Sequence, residues 1–145
     1  MEPRVLQELM GQRRVSLHVL PGQPGTYAPL PEKLHPTLRH WFTESGISRL
    51  YSHQAESYAA ASHGNDILVT TGTSSGKSLC YLLPTLQACL EEPMGRALMI
   101  FPTKALAQDQ MQKLEKLITG DELTVATYDG DTPKSQRSAI RKSAN

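Results

Sequence analysis

Residues 65–78 read Asn-Asp-Ile-Leu-Val-Thr-Thr-Gly-Thr-Ser-Ser-Gly-Lys-Ser, and this stretch constrains the chain more than any other. Residues 67–69 form a short apolar run with β-branched ends, suited to a strand buried on both faces. From Thr70 to Gly76 every side chain is small. Lys77 and Ser78 follow, and a helix-compatible run begins at Leu79. Strand, tight small-residue loop, Lys-Ser and helix together build a cradle for phosphate. In such a cradle the loop's N–H groups and the positive end of the helix face the anion. Lys77 adds a full charge and Ser78 offers an oxygen to Mg²⁺. The common form of the motif places glycine six residues before the lysine; here Thr71 stands there, with Gly72 one place later. The competing explanation is a Ser/Thr/Gly-rich turn with an incidental Lys-Ser.

Size and composition narrow the class. At 145 residues the chain is one domain's worth, or part of one. Hydrophobic content of 39% and charged content of 20% belong to an ordinary globular protein rather than a disordered tail. A net charge of +1 gives no global basic signal, so any nucleic-acid binding must come from local placement. Cys80 and Cys89 lie on one expected helix at a spacing that implies neither a disulfide nor a metal site. They read as buried or semi-buried thiols in a reducing compartment. No stretch has signal-peptide character or approaches a membrane span, so a cytoplasmic location with no membrane partner is expected.

Along the chain, residues 4–12 suit a short amphipathic helix and 13–20 a short strand or extended arm. Prolines and glycines between Pro21 and Pro31 mark a linker. Residues 1–30 therefore read as an N-terminal extension and 31–145 as the core unit. A helix after Pro31 carries Leu34, Leu38, Trp41 and Phe42 on one stripe, with Gly46 as its stop. Trp41 reads as a core anchor rather than a base-stacking platform. Ser52 is expected to cap a helix that Gly64 ends. The helix after the loop contains Pro84, where a kink or break is expected. Residues 96–101 form a second strand candidate, followed by a helix that Thr103 caps, Gly120 stops, and Leu106, Met111, Leu114 and Leu117 anchor. Residues 123–128 form a third strand candidate. Asp129 and Asp131 serve a turn, and Pro133 opens a helix bearing Lys134, Arg137, Arg141 and Lys142. Strands separated by helices imply right-handed crossovers and a parallel sheet, with ligands beyond the carboxyl ends of the strands.

Two further segments turn the phosphate loop into a specific resemblance. Tyr51-Ser52-His53-Gln54 resembles the Q motif of superfamily 2 helicases, in which a glutamine reads adenine. A carboxamide suits that task because it carries both donor and acceptor. Phe101-Pro102-Thr103-Lys104-Ala105-Leu106-Ala107-Gln108 resembles motif Ia, which holds nucleic-acid backbone phosphates. Together these resemble the first RecA-like domain of a DEAD/DEAH-type helicase: an α/β, three-layer P-loop NTPase fold with a parallel sheet, incomplete in this chain. Gly-Lys-Ser-Leu-Cys-Tyr at 76–81 resembles RecQ helicases. With Tyr-Asp-Gly-Asp-Thr-Pro at 128–133 the pattern is most similar to RecQ-like DNA-repair helicases of the YprA (MrfA) type.

The resemblance implies roles. ATP and Mg²⁺ would be held by Gln54, Thr71, Gly72, Thr73, Ser74, Ser75, Gly76, Lys77 and Ser78. Lys77 would also be catalytic, through charge compensation at the β- and γ-phosphates, and Ser78 would ligate Mg²⁺. Tyr51 is open between packing on the base and an ordinary helix-entry aromatic. Thr103, Lys104 and Gln108 would contact nucleic acid, single-stranded DNA rather than RNA, against the plainer reading of an N-cap and surface side chains. The basic run from Lys134 reads first as a solvated helix face. The family's Asp-Glu-x-His motif, its second RecA-like domain and the cysteine-rich zinc region of the YprA type do not occur in these residues. The expectation is an amino-terminal fragment of a DNA helicase, binding nucleotide weakly with negligible hydrolysis. The alternatives are a non-catalytic nucleic-acid-binding fragment with a vestigial phosphate loop, and a small P-loop nucleotide kinase.

Overall fold

The computed structural model describes residues 24–72, 74–92, 94–118 and 121–145. The amphipathic helix and the short strand or extended arm expected within residues 1–20 lie outside the described residues. Five helices and one two-stranded sheet are formed among the described residues: β1 (Tyr27–Pro29), α1 (Pro36–Glu44), β2 (Arg49–Tyr51), α2 (Ser52–Ser62), α3 (Ser78–Glu91), α4 (Lys104–Leu117) and α5 (Lys134–Ser143).

β1 falls inside the proline- and glycine-rich stretch read as a linker. It pairs antiparallel with β2, Ala28 opposite Leu50. Leu50 is fully buried while Arg49 and Tyr51 face out, the alternation of a strand with one covered face. Pro36 occupies the first turn of α1, where its missing N–H costs nothing. Leu38 and Phe42, four residues apart on one face, are buried. Gly46 and Gly64 take left-handed backbone angles just past α1 and α2, φ 65° and 76°. Both are the expected helix stops.

The core joins Leu38 and Phe42 of α1, Leu50 of β2, Leu82, Leu83, Leu86 and Cys89 of α3, and Leu114 and Leu117 of α4, with Leu34 and Leu123 from the connections. α3 runs unbroken through Pro84, against the break that its lost hydrogen bond favours. Buried residues bracket the proline on both sides, so packing offsets a cost of roughly 3 kcal/mol. On α4 the inward face is Leu114 and Leu117, with Gln110 buried beside them; Leu106 is exposed.

The parallel sheet expected from residues 67–69, 96–101 and 123–128 is not formed as a ladder among the described residues. Among the described residues the one ladder is β1–β2, and these three segments form neither strand nor helix. Residues 67–69 are not covered on both faces either: Leu68 is 89% exposed, as Leu98 and Ile100 are at 85% and 83%. Hydrophobic patterning reports a segment's tendency to be extended and covered. A ladder also needs a facing backbone on each edge, which these described residues do not supply. Ala97, Met99 and Val125, on the opposite sides of two of these segments, pack against the core.

Candidate functional site

The phosphate-type loop is built as its composition demands. Two residues in it take left-handed angles, Ser74 (φ 59°) and Gly76 (φ 78°), which turn the chain sharply into α3. A non-glycine there is unusual and marks a local constraint. The hydroxyls of Thr71 and Ser75 share a hydrogen bond of 2.7 Å across the turn. Thr73 lies outside the described residues.

Lys77 precedes α3 directly, and Ser78 is the first helical residue. The Lys77 ammonium donates to the carbonyl oxygens of Thr71, at 2.8 Å, and of Gly72. It makes no salt bridge among the described residues, and no acidic side chain occupies the first turn of α3. A lysine charge thus sits at the positive end of a helix, in contact only with the loop's own carbonyls. That arrangement leaves positive potential uncompensated where an anion would bind.

The loop is held from the α2 side. A ring nitrogen of His53 is 3.0 Å from the carbonyl oxygen of Ser75. Gln54 is buried, 4% exposed. Its Oε1 accepts from the Tyr51 N–H at 2.9 Å, and its Nε2 donates to the Gly76 carbonyl at 2.9 Å. A carboxamide carries two N–H donors and two acceptor lone pairs, so one of each remains after these bonds. The residue singled out as a base reader is therefore also a tie between the start of α2 and the phosphate-type loop.

An aromatic column stands beside it. Tyr27 stacks on Tyr51 with centroids 4.9 Å apart, and Tyr51 on the His53 ring at 5.6 Å. The Arg49 guanidinium lies over Tyr27, 3.9 Å from the ring centroid. The Tyr27 hydroxyl beside Tyr51 raises the Tyr51 phenol above its ordinary value. Tyr27 and Arg49 were not among the residues singled out from the sequence. Their signal was the apolar–polar alternation of two three-residue strands, too short to register.

A cavity of about 970 Å³ opens on the other side of the loop, with Lys77, Ser78, Ile67, Val69 and Tyr81 in its wall. Gln54 is not part of it, so this space does not unite the two ends of the site. Tyr81 of α3 donates to Gln110 of α4 at 2.8 Å, joining the helix after the phosphate-type loop to the helix after Thr103. Among the described residues no group of three or more His, Cys, Asp or Glu side chains forms a metal cluster.

Thr103 caps α4, its hydroxyl accepting from the Leu106 N–H at 3.2 Å. Lys104 is paired with the Asp131 carboxylate, both side chains exposed. That hydrogen bond holds the Lys104 ammonium above the usual lysine range. Gln108 is exposed further along α4. Of the basic residues of α5, Arg137 is spent on the turn before it, donating to the carbonyls of Thr132 and Asp129. Arg141 donates to the Tyr128 hydroxyl at 3.1 Å. Arg96, also not singled out from the sequence, donates to the carbonyls of Arg141 and Lys142, each at 3.0 Å. It thereby satisfies the negative end of α5. No helix among the described residues is long and apolar enough to cross a membrane.

Comparison with known proteins places these features in one family. The DEAD/DEAH box helicase family matches residues 51–145. The ATP-dependent helicase YprA of Bacillus subtilis is 36% identical over 144 residues, covering 97% of this chain and 19% of its own length. The ATP-dependent helicase hrq1 of Schizosaccharomyces pombe is 39% identical over 90% of this chain and 13% of its own. Crystal structures of the DUF1998 helicase MrfA bound to DNA, and to DNA and AMPPNP, superpose with a TM-score of 0.80 at 39% identity. Each covers 84% of this chain and 17% of the MrfA chain. The chain thus spans about a fifth or less of the length of the relatives it matches. The phosphate-type loop, the glutamine tied to it and the Thr103–Lys104 helix start all fall within the matched region: this chain belongs to the DEAD/DEAH box helicase family.

Proposed function

We propose that this chain is the ATP-binding part of an ATP-dependent DNA helicase acting in DNA repair. Residues 31–145 would belong to its first RecA-like domain, with 1–30 as an extension. The observation that carries this reading is the Lys77 ammonium at the start of α3, held by loop carbonyls and in no salt bridge among the described residues. Similarity to MrfA, whose structures hold DNA and AMPPNP, supports the same assignment. The segments 67–69, 96–101 and 123–128 would be strands of a three-layer parallel sheet, and the location cytoplasmic.

In this reading Thr71, Gly72, Thr73, Ser74, Ser75 and Gly76 wrap the phosphates with backbone N–H groups. Lys77 exchanges its loop carbonyls for the β- and γ-oxygens, and Ser78 ligates Mg²⁺. Gln54 presents its remaining N–H and lone pair to the adenine edge. The bound metal supplies charge neutralisation of the transferring phosphoryl group. Thr103, Lys104 and Gln108 hold the backbone of single-stranded DNA, and closure against a second RecA-like domain couples hydrolysis to strand separation.

The test is nucleotide binding by calorimetry with AMPPNP, wild type against Lys77→Ala. A charge-assisted hydrogen bond is worth about 1.5–3 kcal/mol, so affinity falls tenfold or more. Undiminished binding would overturn the assignment. DNA binding indifferent to both nucleotide and Lys77→Ala would instead indicate a nucleic-acid-binding protein with a vestigial loop.

A further inference from the structure

The side chain expected to hold a DNA phosphate is not free. Lys104, at the start of α4, is paired with Asp131, 27 residues away along the chain. Asp131 is the anion its ammonium meets, since the first turn of α4 carries no acidic side chain. The pairing depends on a turn that is fixed from both sides. Asp129 Oδ1 accepts from the N–H of Asp131 at 2.8 Å and of Thr132 at 3.2 Å. The Asp129 N–H donates to the Thr132 hydroxyl at 2.9 Å. From α5, Arg137 clamps the carbonyls at each end of the same turn. Gly130 lies under the Lys104 ammonium, with space where a Cβ would stand 3.9 Å from it. The division of labour is clear: Asp129 builds the turn, and Asp131, which accepts no turn hydrogen bond among those described, points its carboxylate at Lys104.

We infer that Asp131 is a tethered competitor for the nucleic-acid phosphate at Lys104, setting how tightly and how salt-dependently this edge grips a strand. The inference rests on the reading of Lys104 as a phosphate contact. Its logic is exchange. A carboxylate and a phosphate oxygen offer an ammonium the same kind of bond, so a strand can seat on Lys104 only by taking the place of Asp131. Because both partners are exposed, the internal pair is weak and a strand can displace it. Affinity is thus held below what Lys104 alone would give, a useful property for a protein that must release and re-engage a strand repeatedly.

The test is binding of a labelled oligothymidylate to the full-length protein, measured by anisotropy across a salt series. Four proteins are compared: wild type, Asp131→Asn, Lys104→Ala and the double variant. Asp131→Asn keeps the backbone N–H that Asp129 uses and removes only the charge, so the turn survives. Asp131→Asn is expected to bind roughly two- to fivefold tighter at low salt, the range an exposed ion pair allows. Lys104→Ala is expected to bind more weakly, with a shallower salt slope. In the Lys104→Ala background the gain from Asp131→Asn should largely vanish, which is the coupling a double-mutant cycle isolates. If Lys104→Ala leaves binding and salt slope unchanged, Lys104 is no phosphate contact and both readings fall. If Lys104→Ala weakens binding but Asp131→Asn does not tighten it, the competitor role alone fails. Equal tightening in both backgrounds also overturns it, by making Asp131 a background charge.

Discussion

Replacing Gly76 with alanine should destabilise this protein for two separable reasons. Gly76 has φ of 78°, where an L-residue costs roughly 1–2 kcal/mol. A Cβ built there would also lie 2.6 Å from Gln54 Nε2, so the Gln54 amide must move. Moving it gives up the bonds to the Gly76 carbonyl and the Tyr51 N–H, each worth roughly 0.5–1.5 kcal/mol. Together these give about 2–5 kcal/mol, a large share of a small domain's stability. Two other glycines separate the contributions. Gly64 has the left-handed angle, φ 76°, but nothing within 4 Å of an added Cβ, so Gly64→Ala should cost roughly 1–2 kcal/mol. Gly72 has neither feature, and Gly72→Ala should fall within about 0.5 kcal/mol of wild type. The assay is urea denaturation followed by the fluorescence of Trp41, the one tryptophan, with differences read from midpoints at constant slope. A Gly76→Ala protein no less stable than Gly64→Ala would refute the claim that Gln54 is pinned against the loop.

Two further outcomes concern the core. Phe42 is fully buried, so Phe42→Ala should cost roughly 3–5 kcal/mol in urea denaturation followed by circular dichroism, while Trp41→Phe, at a partly buried position beside it, should cost far less. Both cysteines are buried, and burial pushes the Cys89 thiol up. Reaction with a disulfide reagent near neutral pH should therefore be slow when folded and complete in urea. Because the folded thiol keeps its proton to higher pH, its contribution to stability is intact below the ordinary thiol range. It declines as pH rises through the folded value.

What could be read from the chain alone followed from local chemistry. The helix start at Thr103, the stops at Gly46 and Gly64, and the small-residue loop before Lys77 are all written within a few residues of where they act. The Asp129 turn was legible for the same reason. Long-range pairings were not. β1 is three residues inside a proline-rich stretch, and its strand character comes from β2, not from its own composition. The Tyr27–Tyr51–His53 column and the Lys104–Asp131 pair join residues more than twenty positions apart, and no periodicity encodes them. The parallel sheet was inferred from the apolar patterning of single segments, and patterning does not supply a neighbouring strand. Pro84 shows the converse, a local rule overridden by packing.

The attachment of the phosphate-type loop to α2 has a consequence for how lesions in this region would be classified. His53 and Gln54 hold the carbonyls of Ser75 and Gly76, whereas residues 67–69, entering the loop from the other side, have no ladder among the described residues. The loop's shape is thus inherited from helix residues 22 positions before the carbonyls they hold. In a genetic screen, alleles altering Ser57, buried on the turn after His53 and bonded to its carbonyl, would segregate with alleles of the loop itself. Such alleles would map to α2 and yet be scored as lesions of the loop.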